Sequence, residues 1–258
     1  PPLVLHYHGG YPPRNPLARA ALRAGLGRAA RLLFTTREHA RPFVETGLVD
    51  GAQVAVLMET SSAFRPLPQD KARCATGMHG DPVFLWAGRL HPVKDPLTAL
   101  RAFAQIAAAR PAARLYMHYL TAELEEEVRA FLAARPGLAA RVELRGRAPF
   151  ERMEAIYSSA DFLLQASRRE FSGCAVLEAM ACGAIPAVSD IPSFRAMTCG
   201  GRYGVLFPPG DAAALARGVL AIPPAEIPAR AAAVRAHFER ALSFPALAEQ
   251  LEKVYRGL

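Results

Sequence analysis

Lysine is almost missing from this chain of 258 residues: Lys71, Lys94 and Lys253 are the whole complement, and arginine supplies the rest of the 31 basic side chains. Acids number 23, leaving a formal net charge of +8. The arginines are scattered among alanines, with no long basic block and no interleaved aromatics, so a nucleic-acid partner is not expected. The positive balance reads as an alanine and arginine bias, with some preference for anionic small molecules. Cysteine is sparse as well. Cys74, Cys174, Cys182 and Cys199 include no pair at the two-residue gap of a zinc or redox motif, so neither a structural metal nor a redox site is expected. No charged segment precedes an apolar one at the start, as a secretory signal requires, and reduced thiols in a cytoplasmic setting are the expectation. No apolar run approaches the roughly 20 residues of a membrane span. The chain opens on Pro1-Pro2 without Met, so the true N-terminus is expected upstream. Hydrophobic residues at 52% against 21% charged exclude general disorder.

What is present alternates short apolar runs with longer amphipathic ones, the pattern of βαβ units around a parallel sheet. Six strands are predicted over 83–88, 114–119, 141–146, 161–166, 184–189 and 203–207. Helices are predicted over 96–110, with Pro96 in the first turn, over 121–135, with Thr121 as cap, and over 149–159, 173–182 and 211–219. Two further helices close the chain. Together these read as a complete doubly wound α/β domain at 83–258. Residues 1–66 carry only three strands, over 3–8, 31–36 and 53–58, with helices over 16–31 and 37–46. That is part of a second α/β domain. The Pro-, Gly- and charge-rich stretch 67–82 reads as a linker. The last helix is expected to cross back to the N-terminal part.

Two segments carry chemistry. GRLHPVKDP (88–96) leaves a buried-looking strand and opens a helix, where α/β folds place ligands. Gly88 permits a tight backbone path, and Arg89 and Lys94 set two cations on one loop, which suits a diphosphate. REFSGCAVLEAMACG (169–183) places Glu170 before a short helix and Glu178 inside it. Ser172 or Gly173 would present free backbone N–H groups at the helix N-terminus, an anion site. A carboxylate on each side suits a polyhydroxylated ligand. Glu178 also stands among Leu177, Ala179 and Met180, where a solvated acid is out of place. His39, His79, His91, His118 and His237 read as ordinary surface or core residues, and Trp86 as core.

The order and spacing of GRLHPVKDPLTALRAF, LRGRAPFERMEAIYSSADFLLQAS, EFSGCAVLEAMACGAIPAVSDIPSF and YGVLFPPGD resemble glycosyltransferase family 4, of the GT-B fold. The resemblance is specific over about 83–210 and looser to Tyr255. It implies a retaining enzyme that uses a nucleotide-sugar donor and a carbohydrate or other hydroxyl acceptor. It implies that Arg89 and Lys94 hold the diphosphate, Glu170 the transferred sugar and Glu178 the ribose. Backbone N–H groups of Phe171, Ser172 and Gly173 would face sugar and phosphate, and Gly146 and Arg147 would lie near the base. The family's usual pattern has Gly or Pro and then Phe-Gly after the first Glu; here Phe171-Ser172-Gly173 stands there. PPLVLHYHGG (1–10) is similar to the acceptor-side strand and loop that carry an active-site His, and His8, at the loop side, is the choice over His6. LFTTREHARPFVETG (33–47) and VLMETSSAFRP (56–66) are similar to the run leading to the domain crossover. The front of the acceptor domain is absent, so the chain is identified as a C-terminal portion of such an enzyme. Any peripheral membrane contact would come through that missing half. No metal or other cofactor is expected, in keeping with the lack of an Asp-x-Asp motif in the donor half. The alternatives are a fragment that binds nucleotide-sugar without transferring, and a GT-B-fold sugar-nucleotide epimerase.

Overall fold

The computed structural model describes residues 1–121 and 123–258. Its strands are β1 (Val4–His6), β2 (Arg31–Phe34), β3 (Val54–Val56), β4 (Val83–Gly88), β5 (Arg114–Tyr119), β6 (Val142–Gly146), β7 (Phe162–Gln165), β8 (Ile185–Ser189) and β9 (Val205–Phe207). They form two parallel sheets, one of order β1-β2-β3 and one of order β6-β5-β4-β7-β8-β9. In the larger sheet the chain runs outward from β4 to β6, then returns to β7 and runs outward the other way. The crevice above β4 and β7 is therefore the switch point, where neighbouring crossovers part and a ligand fits.

Burial explains the strand order. Val83, Phe84, Leu85 and Trp86 are wholly buried, as a central parallel strand covered by helices on both faces requires. In the smaller sheet β2 shows the period of two. Leu32 and Phe34 join a small cluster with Phe43 and Val49, while Leu33 joins the main core. The C-terminal segment reaches the smaller sheet: the Arg31 guanidinium donates to the Gly257 carbonyl at 3.2 Å, and the Ser61 hydroxyl to the Leu242 carbonyl at 2.6 Å.

Three local expectations change. The stretch 67–82, expected as a linker, holds a helix at Gln69–Thr76. Its attachment is polar: Arg73 and Gln69 both donate to Asp161, at 2.7 and 3.0 Å, and Asp161 also accepts the Val83 N–H at 2.7 Å. Only Ala72 of this helix is buried, so there was no apolar stripe to read. The helix expected to be capped by Thr121 starts at Glu125. The chain there pairs with the loop after β4 instead: Leu90 N–H donates to the Thr121 carbonyl at 3.0 Å, and Leu124 N–H to the Leu90 carbonyl at 2.9 Å. Ala122 of that expected helix lies outside the described residues. The helix expected over 16–31 ends at Leu26, before the next strand begins at Arg31. Pro96 and Asp211 act as expected. Pro96 opens the helix Pro96–Ala109, and the Asp211 carboxylate accepts the Ala214 N–H at 2.8 Å.

Candidate active site

A cavity of about 540 Å³ opens at the carboxyl ends of β4, β5 and β7. Gly88, the last residue of β4, forms part of its floor, and Arg89 and Lys94 of the following loop line its wall. The loop is held by hydrogen bonds. His91 Nδ1 accepts the Val93 N–H at 3.1 Å, the Arg168 N–H donates to the Val93 carbonyl at 2.8 Å, and the Arg168 guanidinium pairs with Asp95 at 2.9 Å. Asp95 sits at φ 44° and caps the next helix, accepting the Thr98 N–H at 3.3 Å. Arg89 is exposed and has no acidic partner among the described residues. Lys94, in contrast, is ion-paired with Glu170. The diphosphate cation and the sugar-side carboxylate of the expectation are thus one contact pair.

Glu170 is fixed from three sides. Besides Lys94, its Oε1 accepts the Ser167 hydroxyl at 2.9 Å, and its backbone carbonyl accepts the Ser193 hydroxyl at 3.0 Å. Ser167 in turn accepts from the buried Gln165 amide at 3.2 Å. The chain then turns through Gly173, at φ 58° and ψ 39°, into the helix Cys174–Ala181. A Cβ at Gly173 would lie 2.8 Å from the Phe194 ring, so this position combines left-handed backbone with closed space. No side chain caps the helix, and Cys174 and Ala175 of its first turn line the cavity. Val176 N–H donates to the Gly173 carbonyl at 2.9 Å, while the Cys174 and Ala175 N–H groups have no acceptor among the described residues; such N–H groups and the helix dipole favour an anion there.

Glu178 lines the same cavity one turn deeper. Burial pushes its carboxyl above the ordinary value, opposed by a hydrogen bond from the Tyr157 hydroxyl. Burial, then the Glu178 charge, push the Tyr157 phenol well up. A desolvated carboxylate beside one neutral donor has room for further donors, such as a pair of hydroxyls.

The remaining expected site residues spread over the surroundings. Arg147 and Ser172 line the cavity. Gly146, at φ 60°, stands behind it, its carbonyl 3.3 Å from His118 Nδ1. Phe171 turns away into a second cleft of about 170 Å³ between the sheets. There its ring packs 4.9 Å from the His39 ring and 6.1 Å from Tyr11, and closes on Gly9. His8 lines neither the main cavity nor this cleft; it is exposed, with its Nδ1 3.5 Å from Glu59.

Sequence reasoning missed three residues. His118, taken as ordinary, is buried and lines the cavity. Its Nδ1 faces a carbonyl that only accepts, which assigns the ring proton to Nδ1. Burial lowers its pKa, and the nearby Arg145 and Arg152 add to that effect. Gln165 and Glu59 were passed over inside apolar runs, and a polar side chain within a buried strand or its exit was the available signal. Among the described residues, no group of three or more His, Cys, Asp or Glu is placed to hold a metal ion. None of the described helices is long and apolar enough to cross a membrane.

The family described as glycosyl transferases group 1 matches residues 81–222. The chain is 31% identical over 188 residues to a D-inositol 3-phosphate glycosyltransferase of Thermobispora bispora, covering 69% of this chain and 44% of that protein. The chain therefore spans about half the length, or less, of the curated relatives it matches first. Sucrose-phosphate synthase from Thermosynechococcus elongatus superposes with a TM-score of 0.78 at 23% identity, over 98% of this chain and 67% of that one. Anabaena HepE in complex with UDP-glucose superposes with a TM-score of 0.77 at 20% identity, over 100% and 72%. The architecture is that of the GT-B glycosyltransferases. By sequence over more than half its length, the chain belongs to the glycosyl transferases of group 1.

Proposed function

We propose that the chain carries the donor site of a retaining glycosyltransferase that moves a sugar from a nucleotide-sugar to an acceptor hydroxyl. The observation that carries this reading is the meeting of Arg89, Lys94, an uncapped helix N-terminus and the acids Glu170 and Glu178 in one cavity. Breaking the glycosidic bond leaves charge on the diphosphate. Two cations and oriented N–H groups in a partly closed site stabilise that charge, often the largest catalytic contribution. Glu178 would take the ribose hydroxyls, Glu170 the hydroxyls of the transferred sugar, and Arg147 with Gly146 the base side. When the diphosphate binds, it competes with Glu170 for the Lys94 ammonium. His8 would face the sugar from the other sheet.

The donor seen in the HepE complex makes UDP-sugars the first class to test. The relatives' name points to a phosphorylated polyol as the first acceptor class. The second reading is donor binding without transfer. Calorimetry with nucleoside diphosphates, run beside a transfer assay over a panel of nucleotide-sugars, separates the two. Binding with transfer supports the enzyme, binding alone supports the module, and no binding removes both.

A further inference from the structure

Glu59 is a buried carboxylate to which the proposed chemistry gives no task. Its side chain is 3% exposed, in the segment leaving β3, where Leu57 and Met58 are anchored in the main core. One oxygen, Oε1, accepts the hydroxyl of Ser172, a residue of the donor cavity. The other, Oε2, has no hydrogen-bond partner among the described residues and faces His8 Nδ1 at 3.5 Å. A single carboxylate thus touches the donor loop of the larger sheet and the histidine of the smaller one.

We propose that Glu59 is a positioning residue: anchored by Ser172, it holds the His8 imidazole with the proton on Nδ1 and leaves the exposed Nε2 free for the sugar or the acceptor hydroxyl. The inference rests on the reading of the cavity as a nucleotide-sugar site. A carboxylate removed from water needs charged or donating partners. Ser172 supplies one neutral donor, and among the described residues His8 is the one donor group that faces the second oxygen. An ionised carboxylate accepts and does not donate, so the shared proton sits on Nδ1. His8 itself is 66% exposed, which leaves Nε2 free to meet a hydroxyl. A separation of 3.5 Å is long for a hydrogen bond, as such contacts often are before substrate closes the site. The serine at 172 also gains a reason. The resemblance expects a phenylalanine at this position, and a phenyl ring would give Glu59 no donor. Its neighbour Phe171 packs against Gly9, so both residues of the altered dipeptide serve the contact between the sheets.

The test is made on the full chain in two parts. Ring-nitrogen NMR of His8 is expected to show the Nδ1–H form in the wild type and a shift toward Nε2–H in Glu59→Ala. Glu59→Leu, which keeps the volume, is measured beside it in case the smaller variant fails to fold. An unchanged tautomer overturns the proposal whether or not the chain transfers sugar. In the transfer assay, Glu59→Gln is expected to lower kcat at least tenfold, while donor KM and the Kd of UDP stay within threefold. Ser172→Ala combined with Glu59→Gln is expected to be no worse than Glu59→Gln alone, since both act through one contact. A wild-type kcat in Glu59→Gln, or a loss confined to Kd, overturns the positioning role. Failure of the wild type to bind UDP removes the donor-site reading instead, and the tautomer still decides on Glu59.

Discussion

Replacing Glu178 by Gln separates a functional acid from a structural one, because the two roles predict opposite signs. The substitution keeps shape and keeps an acceptor for the Tyr157 hydroxyl, but removes the charge. Hydrogen bonds to a charged acceptor are worth about 1.5–3 kcal/mol against roughly 1 for a neutral one. Losing the charged acceptor outright, at about 1.4 kcal/mol per tenfold, corresponds to roughly ten- to hundred-and-fifty-fold in donor affinity as an upper range. Stability moves the other way. Burial holds the Glu178 carboxyl above its ordinary value, so the folded state keeps its proton to higher pH than the unfolded state. Wild-type stability from this group is present below the ordinary value near 4.3 and is lost as pH rises through the raised folded value. Glu178→Gln has no such loss. At neutral pH it is expected to melt above the wild type, and the difference is expected to close toward about pH 4. Titration calorimetry with UDP and thermal melts from pH 4 to 8 read both quantities. Undiminished UDP affinity together with a lower melting temperature at pH 7 would refute the reasoning.

The remaining predictions concern the cations, the turn and the histidines. Lys94→Ala or Arg89→Ala is expected to cut turnover at least about a hundredfold in a transfer assay, the scale of removing one oriented stabilising group; near-normal turnover in either removes that residue from the phosphate site. Gly173→Ala must hold an alanine in the left-handed region, about 1–2 kcal/mol, and press its Cβ on Phe194 and Met197, about 1–3 more. Chemical denaturation should show a loss of roughly 2–5 kcal/mol, and a loss under about 1 contradicts the closed geometry. Burial is the main reason that His6, His39, His118 and His237 sit below the ordinary value. Their contribution to stability is full above about pH 6.5 and is lost as pH falls through the lowered folded values. The melting temperature should therefore drop from pH 7 toward pH 5, and His237→Phe, which keeps the stack on Tyr203, should flatten that slope; an unchanged slope removes His237 from the cause.

Elements whose role is to be covered on both faces were plain in the sequence. The run over 83–88 reads as a strand because it is apolar at every position that β4 buries, and the turns at Gly173 and Gly183 read from glycine alone. The pairing of Glu170 with Glu178 was also visible, since an acid among Leu177, Ala179 and Met180 has no structural excuse. What stayed hidden depends on contacts across the fold. The helix Gln69–Thr76 is held by Asp161, 85 or more residues away in the chain, and shows no local apolar period. Lys94 and Glu170 were assigned separate ligand groups, whereas the fold sets them against each other. Phe171 was expected to serve through its backbone N–H, and the seat of its ring in the second cleft against Gly9 had no signal in the sequence. Glu59 was invisible, since its meaning arises only when Ser172 and His8 come together around it.

The central claim is that a diphosphate lies between Arg89, Lys94 and the open end of the helix Cys174–Ala181. Calorimetry of UDP and of uridine against the wild type and the two alanine variants addresses it directly. UDP is expected to bind the wild type at one site and each variant at least tenfold more weakly, while uridine binds all three alike. Equal UDP affinity in the wild type and both variants would contradict the account.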